Sequence, residues 1–164
     1  MKLALTTTLL AIIIGFISCN SNRSKAADYN NQLNNTIRKF QIPLIAIEKS
    51  VYTDFLNGDK EKVIADCKKA IDHIEKVRIK IKKITPPQIP RAKDLQTGCL
   101  NLMEWNQLFY EDFAEMAASE TDTGSDSSFA ELERCAENIR NAEIMLEELH
   151  ADFAHQNGAQ VSSY

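Results

Sequence analysis

The stretch VIADCKKAIDHIEKVRIKIKKI at residues 63–84 decides the fold. Its apolar side chains recur at spacings of three and four residues, which places them on one face of a helix. We call such a row of apolar positions a seam. At residues 77–82 apolar and charged residues also alternate as in a strand, but these residues continue the same seam, and the sequence offers no second strand to pair with them. We therefore predict an amphipathic helix. Its apolar positions are Val63, Cys67, Ala70, Ile74, Val77, Ile81 and Ile84.

Three further segments repeat this spacing, at residues 33–51, 95–116 and 132–153. The chain of 164 residues contains only 5 Gly and 4 Pro, a composition that argues against a β-sandwich, a barrel or a disordered chain. It also lacks the Gly-rich turn of a doubly wound nucleotide binder. The sequence therefore predicts an all-α fold, an antiparallel up-down-up-down four-helix bundle over residues 28–157.

The breaks between seams fall where helices should end. Asn57-Gly58-Asp59 joins the first pair, with Asp59 placed as an N-cap. The segment TPPQIP at residues 85–90 cannot continue a helix, and residues 119–128 are polar. Such short connections favour antiparallel neighbours. Pro43 lies inside the first seam, so we expect that helix to be bent or split near Ile42.

The N-terminal segment MKLALTTTLLAIIIGFISCN is set apart from the fold. Its apolar run at residues 3–17 is shorter than the roughly 20 residues of a permanent span. The run ends in FISC at residues 16–19, which resembles the lipobox of bacterial lipoproteins, where cleavage before the cysteine follows diacylglyceryl transfer to its sulfur. An ordinary secretory signal, cleaved near residues 26–27, is the alternative.

The resemblance implies a signal peptide at residues 1–18 and a lipidated Cys19. Polar, unpatterned composition predicts a tether over residues 19–27, and the residues beyond the bundle, 158–164, are a C-terminal tail. Each buried acyl methylene contributes about 0.8 kcal/mol, so two or three chains anchor a protein durably. Asn20 is not the Asp that retains many such proteins at the inner membrane. We therefore expect a cell-envelope protein on the outer membrane, similar in layout to helical-bundle envelope lipoproteins of diderm bacteria.

If Cys19 is lipidated, Cys67, Cys99 and Cys135 remain, and at least one is unpaired within the chain. Cys67 and Cys135 lie at the same level of the predicted bundle, so a disulfide between them is one reading. Their helices would be diagonal, however, and the other reading is three buried thiols that act as small apolar residues.

The motifs of catalysis and of metal binding are largely missing, and we predict no enzyme, no cofactor and no metal. Glu147 and His150 form one Glu-x-x-His pair of the kind used by di-iron bundles, but His73 on another helix has Ala70 where a second pair would need Glu. A haem-attachment motif and a cluster of zinc ligands are also missing from the sequence. A metal- or redox-binding bundle is kept as the alternative function.

Charge is unevenly distributed along the chain. Residues 58–93 contain 11 basic and 5 acidic side chains, whereas residues 94–164 contain 2 basic and 15 acidic side chains. In the predicted topology one end of the bundle gathers the basic residues beside the anchor, where an anionic leaflet would attract them. The opposite end is acidic, and nucleic acid is not an expected partner. The candidate membrane-facing residues are Arg23, Lys25, Lys80, Lys82, Lys83, Arg91 and Lys93; the outward acidic residues are Asp54, Asp59, Glu115, Glu120, Asp122 and Asp126.

These observations predict a non-catalytic binding or scaffold module, attached to the membrane through its N-terminal lipid. An envelope protein is the expected partner. It would dock on a helix face or on the acidic end, through Trp105 and Tyr110 if the bundle leaves these uncovered. The alternative is that both side chains widen the core.

Overall fold

The computed structural model describes residues 3–119 and 126–158, with side chains described within residues 22–119 and 129–158. It contains four helices: α1 (Leu3–Leu56), α2 (Lys60–Lys83), α3 (Ala92–Ala118) and α4 (Asp126–Asn157). Over these residues the chain has no strand, and the four helices pack against one another. The predicted all-helical, four-helix fold is confirmed.

The core consists of the seams that the sequence predicts. Every apolar position of the α2 seam from Val63 to Ile81 is buried, and Ile84 is half-buried. In α3 the buried face is wider than its seam, because that helix packs against both α2 and α4. Met103, Tyr110 and Ala117 are buried there beside the predicted positions.

The predicted helix boundaries have identifiable causes in the structure. Asp59 accepts a hydrogen bond from the backbone N–H of Lys62, as an N-cap should. Gly58 precedes it with φ of 72°, a left-handed conformation that glycine adopts without steric cost. After α2 the Pro-rich connector leads to α3, and the Gln96 Nε2 amide donates to the carbonyls of Ile81 and Ile84 at 2.8 and 2.6 Å. Those two bonds satisfy carbonyls that the end of α2 leaves without helical partners.

The first helix excludes one of the two alternatives predicted at Pro43, and it differs from the predicted tether. It is not split at Pro43 but continues through it to Leu56, with Pro43 on an exposed face and Phe40 and Leu44 buried on either side. Residues 20–27, which the sequence predicts to be an unpatterned tether, are also helical, and Ala26 is fully buried. The packed part of the chain therefore begins nearer to Cys19 than composition suggests.

Four contacts fix which helix ends lie together. The Tyr29 hydroxyl donates to the carbonyl of Ala92 at 2.9 Å, and the Tyr29 and Phe153 rings lie 6.0 Å apart. We call this the Tyr29 end. Far along α1, the ring of Phe55 meets that of Phe113 at 5.3 Å, and Lys60 Nζ donates to the carbonyl of Ser119 at 2.9 Å. We call this the Phe55 end.

Candidate functional site

The Tyr29 end is held by buried polar contacts. Besides the bond from Tyr29, the Asn157 side-chain amide donates to the carbonyls of Pro90 and Phe153 at 3.0 and 2.8 Å. Burial raises the pKa of Tyr29 above its usual range, so its hydroxyl stays a neutral donor. These contacts bring three helix segments together: the first packed turns of α1, the start of α3 and the end of α4.

The basic residues predicted to face a membrane are all exposed, and several meet at this end. Arg91 and Lys93 flank Ala92, which accepts the bond from Tyr29. The bonds from Gln96 attach the last turn of α2 to the first turns of α3. The exposed set is Arg23, Lys25, Lys80, Lys82, Lys83, Arg91 and Lys93.

Arg91 is the one member of this set that is engaged in ion pairs within the described residues. Its guanidinium donates to Asp94 at 2.9 Å and to Asp152 at 2.7 Å, and these bonds raise its pKa. Exposed pairs of this kind contribute little to stability, but they neutralise part of the charge. The lysines are therefore the larger part of the available positive charge at the Tyr29 end.

The acidic residues predicted to face outward lie near the Phe55 end where the structure describes them. Asp54 and Asp59 are half-buried and Glu115 is exposed. Asp59 forms an ion pair with Lys62 at 2.6 Å, which lowers the pKa of that carboxyl through its hydrogen bonds. Glu120 and Asp122 lie outside the described residues, as does the side chain of Asp126.

The three cysteines of the bundle are free and buried. No Cα of α2 lies within 8 Å of a Cα of α4 in the described chain, whereas a disulfide needs a separation below about 7 Å. Cys67 and Cys135 are thus too far apart to bond. Burial raises the pKa of Cys67 to about 11 and that of Cys99 to about 12. The Cys135 thiol donates to Asp112 at 3.1 Å, and burial with that bond raises its pKa to about 11.

The lipidation candidate, Cys19, lies within the backbone of α1, and its side chain is outside those described. In an α-helix the seven residues from Cys19 to Ala26 span about 10 Å. Within the described part of the chain, no helix is long and apolar enough to cross a membrane.

The histidines considered as metal ligands lie apart. His73 Nε2 lies 3.1 Å from the carbonyl of Phe40, on whose ring it stacks at 5.7 Å. His150 is buried in α4, which lowers its pKa to about 4, while Glu147 of the same motif is exposed. Among the residues that the structure describes, no group of three or more His, Cys, Asp or Glu side chains could hold a metal ion.

Of the two aromatic residues considered for docking, one is exposed at the surface in part and the other belongs to the core. Tyr110 is buried in the core. Trp105 is half-buried and lines a groove of about 400 Å³ between α3 and α4, beside Asn101 and Asn138. Trp105 is therefore the more exposed of the two, and Tyr110 belongs to the core.

A second groove has no counterpart in the sequence-based predictions. It runs along α1 above α3 and consists of two adjoining cavities of about 360 and 380 Å³; α4 lines the first of them, and α1 and α3 alone line the second. Ile45, Glu48, Phe109 and Tyr110 line both cavities. The only signal that could have revealed it is a second apolar stripe on α1, outside the core seam.

No family model, curated protein or solved structure matches this chain. Its function is therefore argued from its own residues.

Proposed function

We propose that this chain is a cell-envelope lipoprotein, anchored on the outer membrane through acyl chains on Cys19, whose bundle is a non-catalytic binding or scaffold module. The lipobox-like FISC at residues 16–19 supports the anchor. The structural observation that supports this proposal most is the burial of Ala26, because it leaves only about 10 Å of helix between Cys19 and the packed bundle.

We further propose that the bundle is antiparallel, up-down-up-down. The hydrogen bond from Tyr29 to Ala92 and the contact between Phe55 and Phe113 support α1 and α3 running in the same direction. The ring contact between Tyr29 and Phe153 supports α4 running against α1. In this arrangement the last turn of α2 lies at the Tyr29 end.

The basic Tyr29 end then faces the membrane and the acidic Phe55 end faces outward. Among the basic residues of the bundle, the exposed lysines at the Tyr29 end then lie nearest the anionic headgroups, and they interact with those headgroups when they approach to within the Debye length of about 8 Å in physiological salt. Each such lysine contributes on the order of 1 kcal/mol. Lys80, Lys82 and Lys83 are the densest group, and Asp94 and Asp152 offset part of the charge by pairing with Arg91.

The anchor is tested by expressing the full chain in a diderm bacterium with labelled palmitate. We expect the parent to carry label and to leave the membrane only with detergent. Cys19→Ser should lose the label, whereas Asn20→Ser, which changes the adjacent side chain, should keep it. Label that persists in Cys19→Ser, or a label-free parent whose N-terminus lies near Ala27, would contradict the proposal.

The orientation is tested with the chain from residue 20 and anionic vesicles in a sedimentation assay. Replacing Lys80, Lys82 and Lys83 by Gln should weaken binding about 100-fold, from about 1 kcal/mol for each lysine. The matched control replaces three exposed lysines farther from the Tyr29 end, Lys39, Lys49 and Lys68, which form no ion pair within the described residues. Equal losses in both triple variants would show that only net charge matters and would contradict the orientation.

A further inference from the structure

Helix α1 has an apolar stripe that the bundle does not use. Ile45 and Tyr52 are each 63% exposed, and Ile42 and Leu56 are each 66% exposed. They lie on the half of α1 toward the Phe55 end, outside the buried seam that includes Leu44 and Val51. Large apolar side chains gathered on one surface are typical of an interaction site.

The stripe borders the groove between α1 and α4. The two helices make few contacts with each other, and their ring contact, Tyr29 with Phe153, lies at the Tyr29 end. Beyond it, α3 forms the floor through Phe109 and Tyr110, and Ile139 of α4 lines the opposite side. The lining residues of α1 extend from 37 to 52, which is about 22 Å of helix, or four turns.

The cavity that α4 lines is acidic, whereas the second cavity also has Lys49 in its lining. Glu48 of α1 and Glu143 of α4 line the cavity between the two helices, and none of the described residues lining that cavity is basic. The Tyr110 hydroxyl lies close enough to Glu48 for its carboxylate to raise the pKa of Tyr110, together with the larger effect of burial. A ligand in this groove would therefore need apolar side chains and a positive charge.

We propose that the groove between α1 and α4 docks an amphipathic helix of another envelope protein, with an apolar face of about four turns and a Lys or Arg that reaches Glu48 and Glu143. Helix-in-groove recognition uses this arrangement of apolar anchors at helical spacing. A second copy of this chain fits less well. A second copy that docked through its α1 stripe would carry Glu48 into a cavity that already contains Glu48 and Glu143. The inference rests on the proposed binding role and deepens it.

The probe is a fluorescein-labelled 18-residue Leu/Lys amphipathic peptide, titrated by anisotropy against the full chain in phosphatidylcholine nanodiscs, with empty discs as the blank. A Leu/Glu peptide with the same apolar face is the charge control. Incorporation of the chain into discs reports on the lipid anchor independently of peptide binding, so failure of the anchor and failure of the groove are distinguishable.

We expect saturable binding of the Leu/Lys peptide and none of the Leu/Glu peptide. Ile45→Ser should weaken binding about tenfold, because it removes one apolar anchor. Its matched control is Ile79→Ser, which replaces another exposed isoleucine, 43% exposed and on α2, and should leave binding unchanged.

The charge is tested by a pair of double variants with the same net charge. Glu48→Gln with Glu143→Gln should weaken binding of the Leu/Lys peptide about tenfold. Glu147→Gln with Glu148→Gln, at exposed positions outside the groove, should not change it.

Three results would overturn the proposal. One is equal binding to the parent and to Ile45→Ser; another is equal loss in both double glutamate variants. The third is a dimer of the parent in the discs that Ile45→Ser dissociates, because the occupant would then be a second copy.

Discussion

Acid should weaken the bundle through His150, a buried side chain of α4. His150 is 5% exposed, and burial lowers its pKa from 6.5 to about 4. Between these two values the unfolded chain binds a proton at this position that the folded chain does not bind. The contribution of the neutral imidazole to stability is therefore complete above pH 6.5 and is lost as the pH falls toward 4.

The two pKa values set the size of the effect. From pH 7 to pH 5 the unfolded histidine becomes almost fully protonated, while the folded one remains almost fully neutral. The free energy of unfolding should fall by about 2 kcal/mol from this residue alone. Carboxyls whose pKa is lowered, such as Asp66, Asp59 and Asp152, lose their contribution only in more acidic solution.

The assay is urea unfolding at pH 7 and pH 5, followed by helical circular dichroism. His150→Gln should destabilise the bundle at pH 7 but remove most of the loss between the two pH values. His155→Gln, at an exposed position one to two turns further along α4, should keep the parental loss. If parent and His150→Gln lose the same stability between pH 7 and pH 5, the reasoning from burial is refuted.

Three further outcomes follow from the packing. Tyr29→Phe removes the bond to Ala92 and should lower the free energy of unfolding by about 1 kcal/mol, with an unchanged m-value in urea. Gly98→Val should cost about 1–3 kcal/mol, because even a Cβ at this position lies 2.8 Å from Leu149 Cδ1; an unchanged unfolding midpoint would contradict the close packing of α3 on α4. Burial raises the pKa of Cys99 to about 12, so iodoacetamide should modify it only when urea unfolds the chain, as peptide mass mapping would show.

The sequence predicts the helices well because both the spacing of apolar residues and the residues that end helices are local features of the chain. The α2 seam at residues 63–84 identifies a buried face without reference to its neighbours, and Asp59 and the segment TPPQIP end helices through their own backbone chemistry. Ala26 differs from its predicted place in a polar tether because tertiary packing overrides local composition there, whereas at Pro43 the helix is continuous and only the predicted split is excluded. A helix that buries Phe40 and Leu44 on either side of Pro43 can continue despite one missing backbone donor.

The groove between α1 and α4 could not be predicted in the same way. Periodicity shows that Ile45 is apolar, but it does not show whether a neighbouring helix covers that residue. The cavity that both α1 and α4 line depends on how all four helices pack. By contrast, the predicted order of the helices already places Cys67 and Cys135 on a diagonal of the bundle, and in the described chain no Cα of α2 lies within 8 Å of one of α4.

The most direct test of the lipoprotein proposal is the intact mass of the chain extracted from bacterial membranes, measured first under native and then under denaturing conditions without reductant. The account predicts a chain that begins at Cys19 and carries two or three acyl chains. It also predicts free thiols at Cys67, Cys99 and Cys135. A lipid-free chain that begins near Ala27 would contradict the anchor and remove the basis for a membrane-facing end. Additional native mass from a metal or redox group would favour the alternative function.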